Sequence, residues 1–213
     1  MTKVIAGAAL TLGLSLWTGG DLGAVNRSAI AESAEEICPL LPGMPIPDVS
    51  VRDVSGNRVS LQSLVSIRPT VLIFYRGGWC PYCNAQLQQL RRIESDLLAL
   101  GYQILALSPD PPESLLETRQ KGPYDYTLLS DPKLAAARAF GLAFYLPEAV
   151  AERYRDAGVT LATPPGEDRA ILPVPAVFIL RTDGTVVFSY ANPDYKVRLH
   201  PDLLLAAARL ESR

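Results

Sequence analysis

Histidine is almost missing from this sequence. Its 213 residues carry one, with three cysteines, two methionines and two tryptophans. A single imidazole, His200, restricts both acid–base chemistry and histidine-based metal binding. Three cysteines are too few to staple a disulfide scaffold. An excess of charge is missing too: 20 basic residues face 22 acidic ones, for a net −2. With no basic cluster and no recognition motif, nothing marks a nucleic-acid partner. After Trp17 no apolar run is long enough to cross a bilayer, and there is no internal repeat or low-complexity tract. The length and the 48% apolar content suffice for one globular domain with a full core.

The N-terminus has the pattern of an export signal. Lys3 supplies a positive start, Val4 to Trp17 is apolar and uncharged, and Ala29-Ile30-Ala31 offers a small-x-small cleavage site before Glu32. Residues 1–31 are therefore expected to be a signal peptide or, alternatively, an N-terminal membrane anchor. Residues 32–42 are expected to form a linker, and 43–213 the folded domain.

The most informative stretch is Tyr75-Arg76-Gly77-Gly78-Trp79-Cys80-Pro81-Tyr82-Cys83. Before it, Thr70 to Tyr75 is a short run rich in β-branched and aromatic residues, which predicts a buried strand. After it, Leu87, Leu90, Ile93, Leu97 and Leu100 recur every three or four residues up to Gly101. They predict a helix from about Pro81 to Leu100. The cysteines thus stand at a helix N-terminus, where unpaired N–H groups and the helix dipole favour an anion. There a thiol pKa can fall from about 8.5 to between roughly 3.5 and 7.5. Cys83, one turn on, is in reach to close a disulfide, so the pair reads as a redox site. The competing readings are a structural disulfide or half a metal site. Cys38 and His200 would bring a zinc set to four, but without the paired ligand spacing of structural zinc. Neither metal nor cofactor is expected.

Around this centre, Pro47 to Leu61 predicts a small hairpin, and Tyr102 to Leu107 a second buried strand. A helix follows from about Glu113, then a strand over Tyr126–Leu129, a helix from Asp131-Pro132 to Phe140 and another over Pro147–Ala157. The loop at Thr163-Pro164-Pro165-Gly166 has no assignment. Val177–Leu180 and Thr185–Tyr190 flank an Arg-Thr-Asp-Gly turn, and a last helix covers about Asp202–Leu210. This alternation argues an α/β three-layer sandwich with a mixed sheet.

The order of strand, CxxC, helix, strand, helix, then Val174-Pro175-Ala176 before a hairpin and a final helix, is similar to the thioredoxin fold. Gly43 to Asp48, Asp53 to Leu61, Leu107-Ser108-Pro109-Asp110, Leu129-Ser130-Asp131-Pro132 and Phe140-Gly141-Leu142 extend the likeness. Together they resemble the alkyl hydroperoxide reductase/thiol-specific antioxidant family, the peroxiredoxin-like branch of the thioredoxin-like superfamily. Peroxiredoxins share a Pro-x-x-x-Thr/Ser-x-x-Cys motif and a distant arginine. Aligned on Phe74-Tyr75, the peroxidatic position falls on Cys83, the Thr/Ser on Cys80, the Pro on Arg76 and the arginine on Pro175. All three supporting residues are replaced, in the manner of a thioredoxin-type dithiol.

The resemblance implies that Cys80, expected to be the more exposed, attacks a substrate disulfide and that Cys83 resolves the mixed disulfide. Trp79, Pro81, Tyr82, Val174 and Pro175 would frame the substrate, with the Val174–Pro175 bond cis. Pro81-Tyr82 is the glutaredoxin-like dipeptide, which implies a couple near about −200 to −230 mV rather than about −270 mV. Arg76 is either support for the thiolate or, more simply, a solvated residue at the strand end. A buried carboxylate behind the second cysteine, common among thioredoxins, finds Ile73 and Gln86 at its candidate positions. Cys38 reads as an incidental thiol in the linker, and His200 as a surface residue. The implied function is a thiol–disulfide oxidoreductase whose partners are a thiol or disulfide protein or a small-molecule thiol. The alternatives are a thiol peroxidase acting on hydroperoxides and a non-enzymatic module with a structural disulfide.

Overall fold

Thr70–Phe74 is buried at every position, and its side chains part to opposite faces of a sheet. Val71 and Ile73 join one apolar cluster, while Leu72 and Phe74 join another. This is the period-two alternation of a strand covered on both sides. The computed structural model describes residues 26–120, 125–164 and 166–212. Lys3 and the run from Val4 to Trp17, on which the export reading rests, lie outside them.

In chain order, a 3₁₀ turn at Ala34–Glu36 precedes β1 (Ser50–Arg52), β2 (Arg58–Ser60), α1 (Leu61–Val65), β3 (Thr70–Phe74) and α2 (Pro81–Ala99). Then come β4 (Gln103–Ser108), α3 (Pro112–Gln120), β5 (Thr127–Ser130), α4 (Ala135–Ala139), β6 (Ala143–Tyr145) and α5 (Glu148–Asp156). The chain closes with β7 (Ile171–Pro173), β8 (Ala176–Leu180), β9 (Val186–Ala191) and α6 (Pro201–Glu211).

Seven strands form one mixed sheet in the order β2-β1-β5-β4-β3-β8-β9. β3, β4 and β5 run parallel, whereas β8 lies antiparallel to β3 with Ala176 opposite Phe74. Leu87, Leu90, Ile93 and Leu97 of α2 and Leu204 and Ala208 of α6 cover one face. Phe140, Ala136 and Ala137 from the α4 region, with Leu61 and Val65 of α1, cover the other. Phe74, Phe140 and Phe178 meet there with ring centroids 4.9–6.0 Å apart. Each such side chain, fully buried, contributes about 1.5–3 kcal/mol. The expected three-layer α/β sandwich with a mixed sheet and an N-terminal hairpin is the observed architecture.

Two local expectations need correction. The helix expected from Asp131 starts at Ala135, because Leu134 adopts a left-handed conformation (φ 55°) at the N-cap. A turn precedes it, closed by Leu134 N–H donating to the Asp131 carbonyl at 2.8 Å. Residues 32–42, expected as a linker, lie along the α4–β6 side of the domain. Cys38 N–H donates to the Gly141 carbonyl at 3.1 Å, Leu40 N–H to that of Phe140 at 3.2 Å, and Leu40 is buried. Cys38 is accordingly half-buried rather than outside the fold.

Within 143–173 the helix expected over Pro147–Ala157 is observed as α5, and the strands that flank it had no expectation. β6 and β7 form a separate two-stranded sheet and, with α5, a small apolar cluster of Leu146, Ala151, Ala170 and Leu172. Trp79 packs against this cluster. These short strands gave no periodic signal. Among the described residues no helix is long and apolar enough to cross a membrane.

Candidate active site

Cys80 is the N-cap of α2 and Pro81 fills the first helical position, where its missing N–H costs nothing. Cys83 and Asn84 donate their N–H groups to the Cys80 carbonyl, each at 3.1 Å. The turn before the cysteines needs its glycines. Gly77 has φ 138°, and a Cβ there would collide with the Trp79 indole nitrogen and approach Asp110 Oδ1 to 2.6 Å. A Cβ on Gly78 would collide with Thr118 Oγ1. Gly78 N–H donates to Asp110 Oδ2 at 2.7 Å, and Asn84 Nδ2 donates to the Gly78 carbonyl at 2.8 Å. The loop after β4 thereby fastens the turn that presents the dithiol.

Both sulfurs are buried, Cys80 at 1% exposure and Cys83 at 0%. Cys80 is the more exposed of the two, as expected, but only marginally, and Trp79 packs against the cluster that holds both sulfurs. The two sulfurs differ electrostatically instead. Hydrogen bonding from Cys83 draws the Cys80 thiol down to about 6 against the opposing effect of burial, with help from the charges of Arg76 and Arg198. Burial pushes the Cys83 thiol upward.

Arg76 is 3% exposed, so the simpler reading of a solvated residue is wrong. Its guanidinium carbon lies 4.2 Å from the Tyr195 ring centroid and 5.2 Å from those of Trp79 and Tyr154. Such contacts contribute about 0.5–2 kcal/mol each. Nη2 donates to Tyr154 Oη at 3.0 Å, while the buried Nε has no partner. Trp79 is half-buried, tilted against Tyr154 at 5.2 Å. Tyr82 is 41% exposed and meets Tyr195 edge-on at 5.6 Å.

Sequence reasoning missed Arg198, Tyr195 and Tyr154. Arg198 comes from the loop between β9 and α6. It donates from Nη2 to Cys83 Sγ at 3.4 Å, from Nη1 to Gln86 Oε1 at 2.8 Å and from Nε to the Tyr195 carbonyl at 2.7 Å. A guanidinium therefore stands behind the second cysteine, where thioredoxins commonly carry a carboxylate. Gln86, a candidate position for that acid, anchors it. Neither arginine pairs with a carboxylate among the described residues. No motif in the sequence singles out the three missed residues, since they lie 75–119 positions beyond the residues they serve.

Pro175 is buried and, by the β3–β8 register, reaches the strand-end level of Tyr75. The Val174–Pro175 bond is trans, contrary to expectation, since the described chain has no cis peptide. Trans is the lower-energy isomer by about 0.5–1 kcal/mol. Val174 is held there by its N–H bond to the Leu142 carbonyl at 2.9 Å. Pro81 stands at the start of α2 as expected. His200 caps α6 at the surface, where its Nδ1 accepts from Asp202 N–H at 3.2 Å. Among the described residues no group of three or more His, Cys, Asp or Glu is arranged to hold a metal. An open cleft of about 420 Å³ beside Gly78 and Trp79 is walled in part by Asp110, Glu113 and Glu117.

The chain is similar to a protein of Haemophilus influenzae named putative peroxiredoxin bcp, with 33% identity over 104 residues, or 49% of this chain and 66% of that protein. A thioredoxin-like protein of the same organism is 31% identical over 97 residues, covering 45% of this chain and 54% of that one. The chain thus spans at most about two thirds of the length of these curated relatives. Among solved structures, peroxidoxin BcpB of Mycobacterium tuberculosis superposes with TM-score 0.61 at 22% identity, over 79% of this chain and 96% of that one, which is a likeness of fold. The pattern of the AhpC/TSA family matches residues 42–189, through the cysteine pair and most of the sheet, and the chain belongs to that family.

Proposed function

We propose that this protein is a thiol–disulfide oxidoreductase that exchanges its Cys80/Cys83 dithiol with a partner thiol or disulfide. The observation that carries the reading is the asymmetry of the pair. Cys80 is the helix N-cap with its thiol drawn down to about 6, and Cys83 is pushed up by burial. The first would attack a substrate disulfide, and the second would resolve it. Trp79, Pro81, Tyr82, Val174 and Pro175 would frame the substrate, and Arg76 would support the thiolate. An external thiol would then reduce the Cys80–Cys83 disulfide.

A second reading, a thiol peroxidase, is favoured by one observation. Cys83 stands at the family's peroxidatic position, and a guanidinium touches its sulfur although Pro175 has replaced the family's arginine. Two relatives carry names that point to the two readings, peroxiredoxin and thioredoxin-like.

Insulin-disulfide reduction and hydroperoxide consumption, assayed side by side, separate the readings. Exchange requires that Cys83→Ser accumulate mixed disulfides through Cys80. Equal trapping by Cys80→Ser would reverse the roles. Rapid stoichiometric oxidation by peroxide, lost in Cys83→Ser, would favour the peroxidase.

We further propose that the protein acts outside the cytoplasm, from the pattern Lys3, Val4–Trp17 and Ala29-Ile30-Ala31. N-terminal sequencing of protein from an extracytoplasmic fraction tests this, with Glu32 as the expected first residue. That cut would remove Ala31, whose N–H and carbonyl bond β6 at 3.0 and 2.9 Å.

A further inference from the structure

Of the two site arginines, Arg198 is the one whose guanidinium hydrogen-bonds a sulfur among the described residues. Its Nη2 lies 3.4 Å from Cys83 Sγ, and the remaining arms of the guanidinium are fixed by Gln86 Oε1 at 2.8 Å and the Tyr195 carbonyl at 2.7 Å. Three tethers on a planar fork leave it little freedom, and no carboxylate neutralises it. Cys83 is fully buried in an apolar cluster that includes Leu87, Val177, Leu199 and Leu204. A thiol there must lose its proton before it can act, and apolar surroundings oppose that loss. Without a neighbouring carboxylate to take the proton, the remaining device is a fixed positive charge at the sulfur.

We propose that Arg198 is a catalytic residue of the resolving step, its guanidinium stabilising the Cys83 thiolate as it forms to attack the mixed disulfide. This rests on the exchange reading above. The step balances as follows. Cys83 Sγ⁻ attacks Cys80 Sγ, the Cys80–Cys83 bond forms, and the bond from Cys80 to the substrate sulfur breaks. The substrate leaves as a thiolate, two electrons having passed from the dithiol to the original disulfide, and the Cys83 proton passes to solvent. The titratable and charged groups acting on Cys83 are Cys80 of α2, which opposes its ionisation, and Arg198, which favours it. Arg76 contributes a backbone hydrogen bond that also favours the thiolate. The phenol of Tyr75 belongs to the same cluster, to which β8 and α6 contribute apolar side chains.

Dithiobis-nitrobenzoate reads the two steps separately, because attack by Cys80 releases one coloured thiolate and resolution by Cys83 releases a second. In Arg198→Met the second release should slow about tenfold or more at neutral pH, and its pH midpoint should rise, since each unit of pKa is a tenfold change in thiolate fraction. The first release should change less. Arg198→Lys should recover part of the second rate, keeping the charge and losing the fork. Gln86→Met, which leaves the arginine but frees one arm, should shift the second step the same way by a smaller factor. A second release unchanged in Arg198→Met overturns the assignment. So does a slowing shared equally by both releases, without a pH shift and without rescue by lysine. A wild-type protein that releases a single thiolate overturns the exchange reading itself, and this assignment with it.

Discussion

Arg76 Nη2 donates to the hydroxyl of Tyr154 at 3.0 Å, joining the strand end before the cysteines to a helix 78 residues further along the chain. The bond fixes a buried cation beside Cys80 and seats α5 over Trp79.

Breaking that bond should separate the two effects. Tyr154→Phe keeps the ring over Trp79 but strips the Arg76 guanidinium of its one hydrogen-bond partner among the described residues. A hydrogen bond to a charged group contributes about 1.5–3 kcal/mol, so a loss of that order is expected in urea unfolding. Arg76→Met removes the charge and should raise the titration midpoint of Cys80. An unchanged midpoint would mean that Arg76 only packs.

The thiolate absorbance of the reduced protein should titrate with a midpoint near 6, from Cys80. Cys83→Ala removes the leading cause of that depression and should move the midpoint upward. In Cys80→Ala the remaining thiol of the pair should stay protonated at neutral pH, because burial holds it up. A midpoint near 6 that survives in Cys80→Ala would assign the thiolate to Cys83.

Asp131 supplies a pH dependence of stability far from the sulfurs. Burial raises its carboxyl from 3.8 to about 7, although the N–H groups of Ala135 to Ala137 work against the rise. A carboxyl raised in the folded state gives stability that is full below about pH 4 and lost as pH climbs through about 7. Asp131→Asn retains an acceptor for Ala137 N–H and cannot titrate. Its stability relative to wild type, followed by urea unfolding, should therefore improve between about pH 4 and pH 7. A difference that does not vary with pH would contradict the raised carboxyl.

Gly78→Ala should destabilise by about 1–3 kcal/mol, the cost of overpacking a closed site, since its Cβ collides with Thr118. Thr118→Ala should relieve much of this in the double variant, a coupling that a double-mutant cycle measures. Additive effects would mean that the turn, rather than Thr118, sets the requirement for glycine.

The sheet and the dithiol were legible because their signals are local. TVLIF is apolar from Val71 onward, and the leucine spacing after Cys83 matches one helical face. Pro81 and Gly101 mark that helix's ends. The start of α4 was misread because the left-handed turn at Leu134 has no glycine or asparagine to announce it. The isomer at Pro175 was misjudged for another reason: the cis expectation came from the resemblance alone, and the residues around an X-Pro bond do not fix its isomer.

The sequence by itself determined the fold class, the family resemblance and the placement of two cysteines at a helix N-terminus, all from patterns within some twenty residues. Only the tertiary structure decided the electrostatics of the pair. Arg198 reaches Cys83 across 115 positions, and Tyr154 reaches Arg76 across 78. The preference of a thiol for its charged form depends on burial and on charges a few ångströms away, and it is chain folding rather than sequence spacing that brings those groups together.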